Sequence, residues 1–280
     1  MKKIIKKTIN TLLSFSINLF RKLKFSNYLL GYVYEQLSDY YKTINHKGIK
    51  LKFYCPNELN LFRLKTFSTK EPETLDWIDS FHENSIFYDI GANIGLYSCY
   101  AAKRKNCSTV AFEPSVFNLE LLAKNIFINE LSNKVKVFSL PLSDNNASGD
   151  FNFSSTNVGG AKSTFNKNYS IGGEKMTTKF NYKTWGINLD DCVNIFSLPQ
   201  ADYIKIDVDG IDHLILKGAQ QTLKKTKGVL IEVSSSFLKQ EEMVGEILDK
   251  NGFKLIEKKR SSIFKNKDYE SIYNQIWSKN

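Results

Sequence analysis

The sequence predicts an α/β fold whose centre is a doubly wound, mostly parallel sheet of seven strands. Two observations carry this prediction. From residue 85 onwards, short apolar runs alternate with amphipathic stretches of helical period, and such alternation builds parallel sheets that helices cover on both faces. The last two strand-like runs, FKLIEKK and YNQIWSK, have no helix between them, so one of these strands is expected to run antiparallel.

Each element has its own signal in the sequence. Strands are predicted where apolar and β-branched residues run together, and helices where apolar residues recur every three or four positions. The first predictions are a helix over residues 26–45, the strand GIKLKFYCP, which Pro56 ends, and a helix from Glu73 that begins near Pro72. The alternating region begins with the strand SIFYDI, a helix over residues 95–105, the strand TVAFE, the helix SVFNLELLAKNIFINE and the strand KVKVFSLPL. It continues with the strand ADYIKIDVDG, the helix DHLILKGAQQTLKK, the strand GVLIEVS, the helix KQEEMVGEILDKNG and the two final strands.

One stretch interrupts this alternation. Residues 145–182 are rich in Ser, Thr, Asn and Gly, and they carry short alternating pieces such as GDFNF and TTKFNY. They are predicted to form a hairpin insertion, and an insertion after a core strand is well placed to shape an acceptor pocket. Within it, Asn157, Gly159 and Gly160 are either pocket residues or an ordinary glycine-rich turn.

The positive charge of the chain is concentrated at its N-terminus. Of the net charge of +10, residues 1–24 carry seven positive charges and no acid. The rest of the chain is close to neutral, which argues against a nucleic-acid surface. We expect residues 1–48 to form a basic, helical extension and residues 49–280 to form one domain. Four scattered cysteines and three histidines give neither a disulfide framework nor a zinc spacing, so a reducing, cytoplasmic compartment is expected.

The first 24 residues combine a basic start with a short apolar middle. They lack a small-residue cleavage site, and the apolar middle is shorter than the roughly 20 residues of a membrane-spanning helix. Ile5, Ile9, Leu12 and Leu13 mark the apolar side of a helix. Two interpretations stay open. The segment either packs on the domain or frays, or it is an interfacial helix that contacts anionic lipid at the inner face of a membrane.

The stretch DIGANIG, residues 89–95, follows the first strand of the alternating region. It lies where a doubly wound sheet binds ligands, and Gly91 and Gly95 allow the backbone to turn sharply there. Asn93 and Leu96 stand where a dinucleotide fingerprint has glycines, which argues against a dehydrogenase. The acid before the turn, Asp89, suits a ligand with ammonium or hydroxyl groups, and S-adenosylmethionine has both.

Two later strand ends add polar residues in a matching order. Glu113 ends the strand TVAFE, where a carboxylate accepts hydrogen bonds from both hydroxyls of a ribose. Ser143 and Asp144 end the next strand, in a position to meet an adenine ring. Each signal alone also describes a tight turn or a solvated acid, but the three occur at successive strand ends. The predicted cofactor-binding residues are therefore Asp89, Gly91, Asn93, Gly95, Glu113, Ser143 and Asp144.

The chain also resembles a known family. The stretches EPETLDWI, FYDIGANIGLYS, AFEPS and YIKIDVDGIDHLILKGA, with NVGG and INLDD as weaker features, are similar to those of FkbM-type methyltransferases, a class I family that uses S-adenosylmethionine. The resemblance covers about residues 50–235. It implies a Rossmann-like fold and O-methylation of sugar or polyketide-like hydroxyls. One departure is Asp209, where the family usually has glutamate.

The stretch KIDVDG holds the candidates for the chemistry. Methyl transfer from a sulfonium needs donor and acceptor held close in a dry pocket, and a base that removes the hydroxyl proton. Asp207 and Asp209 are two residues apart, so both side chains can face one side, and His213 at the next helix start is a third candidate base. One carboxylate either is the base or holds the base or the amino group of the cofactor. The alternatives are that the pair binds Mg²⁺, for which the spacing assigns no third oxygen ligand, or that Asp209 bends the chain and caps the helix.

The predicted function is an S-adenosylmethionine-dependent O-methyltransferase whose acceptor is a hydroxyl of a glycan, a glycoconjugate or another small molecule. The near-neutral domain lacks an NPPY-type base-flipping motif, which argues against nucleic acid as the acceptor. A different class of function also stays open, which is a scaffold that binds the cofactor without turnover. The exchange at Asp209 keeps this alternative in place.

Overall fold

The computed structural model describes residues 2–22, 25–260 and 270–279. The helices are α1 (Lys2–Phe20), α2 (Ser26–Ser38), α3 (Glu58–Lys65), α4 (Phe67–Lys70), α5 (Pro72–Asp79), α6 (Leu96–Lys105), α7 (Val116–Ile128), α8 (Leu189–Ile195), α9 (Asp212–Lys217), α10 (Gln220–Lys225) and α11 (Leu238–Lys250). The strands are β1 (Tyr41–His46), β2 (Ile49–Tyr54), β3 (Ile86–Ile90), β4 (Ser108–Phe112), β5 (Val135–Phe138), β6 (Leu142–Ser143), β7 (Ala147–Phe153), β8 (Ser163–Phe165), β9 (Phe180–Asn188), β10 (Tyr203–Ile206), β11 (Gly228–Ser234), β12 (Lys254–Lys259) and β13 (Ile272–Ser278).

Seven strands form the main sheet, in the order β12-β13-β11-β10-β3-β4-β5. Strands β3, β4, β5, β10 and β11 run parallel, and β13 runs antiparallel to both β11 and β12. This confirms the doubly wound, mostly parallel sheet predicted from the sequence. From β3 the chain builds outwards through β4 and β5, and it later returns to add β10 on the other side of β3. Ligands bind at such a switch point, outside the carboxyl ends of the strands.

Both faces of the main sheet are covered, as its apolar strands require. On one face, β2, α5 and α6 contribute Phe53, Leu75 and Tyr100 to a buried cluster. On the other face, α9 and α11 contribute Leu216 and Leu248. Fully burying one such side chain contributes roughly 1.5–3 kcal/mol. The two clusters therefore hold the strand ends, and the turns that follow them, in fixed positions.

The hairpin insertion predicted after the third strand is confirmed. Strands β7, β8 and β9 form an antiparallel unit, and β9 also pairs in parallel with β6 to complete a second sheet of four strands. Phe151, Phe153 and Phe165 of this unit pack with Ile211, which follows the end of β10. The insertion is thereby fastened next to the switch point of the main sheet.

The helix expected over residues 26–45 is too long, and this part of the prediction is wrong. Helix α2 ends at Ser38, and the chain then forms β1, which pairs antiparallel with β2. Lys47 and Gly48 join the two strands with φ of 46° and 85°, a two-residue turn of the kind that suits hairpins. The predicted boundary between extension and domain falls at this turn, and it stays a prediction.

Two other predicted elements are each divided in two. KVKVFSLPL gives β5 in the main sheet and β6 in the second sheet, because Pro141 between them has no N–H for a strand ladder. DHLILKGAQQTLKK gives α9 and α10, with Gly218 at the break between them. A Cβ at Gly218 would lie 2.4 Å from the carbonyl oxygen of Ser143, so a side chain does not fit at this break.

Helices α1 and α2 leave their apolar side chains exposed. Phe15 is 68% exposed, Phe25 80% and Tyr28 84%, and within α2 only Ser26 is buried. Every described side chain of α1 is exposed, so α1 does not pack on the domain. Across the described parts of the chain, no helix has both the length and the apolarity that crossing a bilayer requires.

Candidate functional site

A cavity of about 680 Å³ opens at the carboxyl ends of β3, β4 and β10. Its walls come from these strand ends, from the hairpin insertion, and from α3 with the residues that follow α4. The volume lies within the range of roughly 300–1,000 Å³ that is common for ligand sites. Of the residues predicted from the sequence, Gly91, Asn93, Glu113, Asp207 and Asp209 line this cavity.

Gly91 makes the turn after β3 and allows two strand ends to pack closely. Its φ is 83°, and a Cβ there would lie 1.9 Å from the carbonyl oxygen of Asp207. A side chain at this position would push the turn away from the end of β10. Gly95 precedes α6 with a φ of 84°, and a Cβ there would lie 2.6 Å from Leu122 of α7. Gly95 thus allows the start of α6 to pack against α7, and it does not line the cavity.

A hydrogen bond joins Asn93 to Glu113 at the cavity wall. Asn93 has a φ of 51°, and its N–H donates to Oε2 of Glu113 at 2.8 Å. The N–H of Ser115 donates to Oε1 of Glu113, also at 2.8 Å. Burial raises the pKa of Glu113 to about 7, although these N–H groups act in the opposite direction. The side chain of Asn118 is a third hydrogen-bond partner of this carboxylate. Of its roughly four lone pairs, one is left for a hydroxyl group of a ligand.

Asp89 lies behind the cavity wall. Its side chain is 1% exposed, and Oδ2 accepts a hydrogen bond of 2.5 Å from the Ser98 hydroxyl. Oδ1 lies 4.0 Å from Nζ of Lys205. Burial raises the pKa of Asp89, and Lys205 acts in the opposite direction. Asp89 is therefore one layer away from the residues that line the cavity, and contact of its own carboxylate with a ligand stays a prediction.

Asp207 and Asp209 both line the cavity, just after β10. Nζ of Lys205 donates to Oδ2 of Asp207 at 2.8 Å. Burial alone would raise the pKa of Asp207, but the ammonium groups of Lys205 and Lys70 outweigh it and lower the pKa. Burial and the charge of Asp207 raise the pKa of Asp209 to about 6. One carboxylate is thus kept charged, while the other titrates near neutral pH, and such a division marks distinct roles in acid–base chemistry.

Asp209 lies on a turn with an uncommon backbone conformation. Its φ is 58°, which few residues with a side chain adopt. Oδ2 of Asp209 accepts the N–H of Lys162 at 2.5 Å, so the insertion contacts this turn. Asp212 holds the turn as well, because its carboxylate accepts the N–H groups of Val208 and Gly210 at 3.1 and 3.0 Å. The start of α9 receives no side-chain cap, so capping is not the role of Asp209.

His213 lies on α9 outside the cavity lining. It is 3% exposed, and its ring packs edge-on against Phe237 with 5.7 Å between the ring centroids. Burial lowers the pKa of His213 to about 4, so its ring is neutral near pH 7. The structure does not bring His213 together with Asp207 and Asp209 at the cavity. Its role as a base stays a prediction.

Ser143 and Asp144 also lie outside the cavity lining, because β6 leaves the main sheet. The Ser143 hydroxyl donates to Asp144 at 3.4 Å, and Asp144 forms an ion pair with Lys217 at 2.9 Å. The residues just before them supply an apolar wall of the kind that contacts the face of a ring. This wall consists of Leu140, Pro141 and Leu142.

Sequence reasoning missed three acids that line the cavity, Glu71, Glu174 and Glu232. Glu71 is 5% exposed, accepts a hydrogen bond of 2.7 Å from the Tyr97 hydroxyl, and pairs with Lys70. Glu232 lies near the end of β11, and burial together with the charges of Asp207 and Asp209 raises its pKa. For Glu232 the signal was present, because a single acid inside the apolar run GVLIEVS is unusual in a buried strand.

The loop of residues 157–160 ties the insertion to the turn after β3. The carbonyl oxygen of Gly160 accepts a hydrogen bond from Nδ2 of Asn93 at 2.7 Å. The carbonyl oxygen of Gly159 accepts two hydrogen bonds from Arg63 of α3, at 3.0 and 2.8 Å. Asn157 and Gly160 themselves line the cavity. The loop is thus part of the pocket rather than an ordinary surface turn.

Comparison with known proteins gives one family and several distant relatives. The family model described as the methyltransferase FkbM domain matches residues 89–255. The hexuronic acid methyltransferase AglP of Haloferax volcanii is 22% identical over 188 residues, which are 66% of this chain and 71% of the relative. TYW2 of M. jannaschii in complex with AdoMet is 15% identical, with a TM-score of 0.43 over 86% of this chain and 87% of that one. The precorrin-6y C5,15-methyltransferase of Geobacter metallireducens is 14% identical, with a TM-score of 0.45 over 75% and 87%.

Proposed function

Because the chain belongs to the FkbM methyltransferase family, we propose that it is an S-adenosylmethionine-dependent O-methyltransferase that acts on a hydroxyl of a sugar or glycoconjugate. One observation carries the proposal, which is that Glu113, Asp207 and Asp209 meet around one cavity at the switch point of the sheet. The relative AglP, a hexuronic acid methyltransferase, supports a sugar as the acceptor.

The residues of the cavity fit this cofactor. Glu113 keeps a lone pair for a ribose hydroxyl, and the turn at Gly91 lets the backbone lie close to a ligand. Leu140 and Leu142 offer an apolar surface for the adenine ring. The charge of Asp207 complements the positive charges of the donor. When bound, S-adenosylmethionine supplies a methyl group on a positively charged sulfur, which leaves as a neutral thioether.

Asp209 is the base in this proposal, and Asp207 is the fixed negative charge. In this role, Asp209 would accept the proton of the acceptor hydroxyl, whose oxygen would take up the methyl group that the bound donor supplies. A base works best when its pKa lies near the working pH, and the pKa of Asp209 is about 6. Asp207 suits the other role because Lys205 and Lys70 lower its pKa.

The rest of the cavity offers two kinds of contact to an acceptor. Glu71 and Glu232 are acids that accept hydrogen bonds from sugar hydroxyls. Arg63 and Arg260 also line the cavity, and a guanidinium forms paired hydrogen bonds with a carboxylate. This combination suits a sugar that carries a carboxylate, as a hexuronic acid does.

We also propose that the reaction proceeds without Mg²⁺. At the aspartate pair, the Lys205 ammonium occupies Oδ2 of Asp207, and the N–H of Lys162 occupies Oδ2 of Asp209. Because these donors already bind the two oxygens, the oxygens are not free to coordinate a hard cation. Within the described ranges, no group of three His, Cys, Asp or Glu side chains could hold a metal ion. Activity is expected to be unchanged when EDTA replaces added Mg²⁺.

The finer part of the proposal concerns where the enzyme works. We place it in the cytoplasm, at the inner face of the membrane, with the N-terminal helices in contact with anionic lipid. Residues 1–24 carry seven positive charges and no acid, and the described apolar side chains of α1 lie exposed. Seven like charges disfavour a second copy of the chain as the partner of this surface, whereas they attract an anionic bilayer. Nucleic acid is not proposed as a partner.

The experiment that tests the function is transfer of a labelled methyl group. The purified full chain is incubated with labelled S-adenosylmethionine and with free hexoses, free hexuronic acids or a glycan extract. We expect label in a hydroxyl-bearing acceptor, with a preference for uronic acids that Arg63→Ala reduces. Cofactor binding without transfer to any acceptor would favour the scaffold alternative.

A further inference from the structure

Lys205 is a lysine in the middle of the main sheet. It belongs to β10, is 2% exposed, and lies between Ile204 and Ile206, which are fully buried. Charged side chains are almost never buried to this extent without partners, because an unpaired ammonium is strongly destabilising in the interior. In the proposed mechanism, Lys205 acts only as a charge that lowers the pKa of Asp207, and its position between two acids has no role there.

Three groups surround the ammonium of Lys205. Nζ lies 2.8 Å from Oδ2 of Asp207 and 4.0 Å from Oδ1 of Asp89. It also lies 5.2 Å from the centroid of the Tyr97 ring, within the distance of a cation–π contact. The two acids differ in exposure, since the side chain of Asp89 is 1% exposed and that of Asp207 is 28% exposed. The cation thus links an acid behind the cavity wall to an acid that faces the cavity.

We propose that Lys205 is a positioning residue, which keeps the Asp207 carboxylate charged and oriented towards the cationic methyl donor. Asp89 in turn holds Lys205 in place from behind. This inference rests on the proposed function, because it presumes that Asp207 faces the donor. It also gives Asp89 a task that does not require its own contact with a ligand.

Other charged groups around Asp207 also influence whether its carboxylate is charged. Besides Lys205, they are Asp89 on β3, Asp209 on the same turn, Asp212 on α9, Arg63 on α3, Lys70 on α4, Glu71 after α4 and Glu232 on β11. Five of these groups are acids, so Asp207 stays charged near neutral pH only while cations oppose them. Without Lys205, burial and the neighbouring acids dominate, and the pKa of Asp207 rises.

The test measures binding of S-adenosylmethionine by isothermal titration, at about pH 6 and about pH 8.5, without acceptor. The proteins are the wild type, Lys205→Arg, Lys205→Met, Asp89→Asn and the double variant Asp89→Asn/Lys205→Met. Glu113 titrates near pH 7 in every protein, so each affinity is expressed relative to the wild type at the same pH. The double variant removes the cation together with the acid that it would leave unpaired, and so it keeps the test valid if Lys205→Met does not fold.

We expect Lys205→Met and the double variant to bind at least tenfold more weakly than the wild type at about pH 6. Most of this deficit should disappear at about pH 8.5, where Asp207 is ionised without help. Lys205→Arg, which keeps the cation, should bind within about threefold of the wild type at both pH values, and Asp89→Asn, which removes the acid behind Lys205, should show a deficit between those of Lys205→Arg and Lys205→Met at about pH 6. A deficit of equal size at both pH values, or full affinity of the double variant, would overturn the inference. A wild type that does not bind S-adenosylmethionine would instead overturn the proposed function.

Discussion

The cavity and the two N-terminal helices both reverse the usual placement of residues, because the cavity buries charged side chains and the helices expose apolar ones. Around the cavity, charged side chains are buried, with Lys205 at 2% exposure and Glu113 and Glu71 at 5%. Along the helices, large apolar side chains are exposed, with Leu12 at 61% and Phe15 at 68%. Both arrangements are unfavourable for an isolated chain, because buried charge and apolar surface in water each raise its free energy.

This difference shows how each region can be interpreted. Buried charges in a cleft indicate a polar ligand and shifted ionisation, whereas an exposed apolar surface indicates a partner that covers it. In our proposal, the cavity binds a cationic donor and a sugar hydroxyl, and the helices lie on anionic lipid. Each interpretation can be tested separately, by substitutions that remove a charge from the cavity or that place polar side chains on the helices.

The largest effect is expected from Asp209→Asn, which removes the proposed base. The substitution should lower kcat by about 10²-fold or more while the affinity for the donor changes little. In the wild type, kcat should rise with pH through about 6, because Asp209 must lose its proton to act as a base. The variant should lack this rise.

Asp150→Asn is the matched control for Asp209→Asn, because it removes an acid of the insertion that pairs with Lys183 at 3.0 Å. Its kcat and pH profile should match those of the wild type. Wild-type activity in Asp209→Asn would show that another group removes the proton.

Gly91→Ala tests the close packing of the two strand ends at the cavity. We expect a decrease in the free energy of unfolding of about 2 kcal/mol or more, because the new Cβ meets the Asp207 carbonyl at 1.9 Å. Gly245→Ala is the control, because a Cβ within α11 at this position meets nothing within 4 Å. It should stabilise the protein by about 0.5–1 kcal/mol. Equal effects in chemical denaturation would contradict the turn as described.

The double variant Leu12→Ser/Phe15→Ser tests whether the exposed apolar surface of α1 binds lipid. The full wild-type chain should bind vesicles that contain anionic lipid, and the double variant should bind at least tenfold more weakly, a difference of about 1.4 kcal/mol. Phe127→Ser is the matched control, since Phe127 of α7 is 76% exposed on the domain. Flotation of the vesicles measures binding, and ultracentrifugation measures self-association. A wild-type dimer that ignores vesicles and dissociates in the double variant would contradict lipid as the partner.

The smallest effect is expected from Asn57→Ala at the start of α3. The Asn57 side chain caps this helix by accepting the N–H of Asn60 at 2.9 Å, and it also donates to the carbonyl of Val158 at 2.9 Å. Loss of a cap costs about 1 kcal/mol. Asn188→Ala removes a similar cap from α8 and should cost as much stability. Only Asn57→Ala should also raise KM for the acceptor, because it releases the loop at the cavity.

The sequence predicted well those features that depend on neighbouring residues. Strand and helix periodicity gave the order of elements, and Gly91 and Glu113 were found because a turn or an acid directly after an apolar run is a local signal. Local signals also misled. The run of tyrosines and leucines before residue 45 resembled one helix, although Lys47 and Gly48 already provided the two-residue spacing of a hairpin.

The parts that sequence reasoning did not reach depend on contacts between distant strands. Asp89 looked like a ligand contact, but only the pairing of β3 with β10 shows that Lys205 lies between it and the cavity side. Ser143 and Asp144 lie away from the cavity because β6 pairs with β9 of the insertion. In this pairing Leu142 lies opposite Ile187, 45 residues further along the chain. Pairings of this kind leave no signal in a short window of sequence.

In the proposed function, the cavity binds the cofactor through Glu113. Isothermal titration with S-adenosylhomocysteine tests it directly, on the wild type, Glu113→Ala and the control Glu120→Ala, whose side chain is 77% exposed on α7. We expect a Kd on the order of micromolar for the wild type and the control, and an affinity about 100-fold or more lower for Glu113→Ala. Absence of binding in the wild type, or equal affinity of all three proteins, would show that Glu113 does not bind the cofactor.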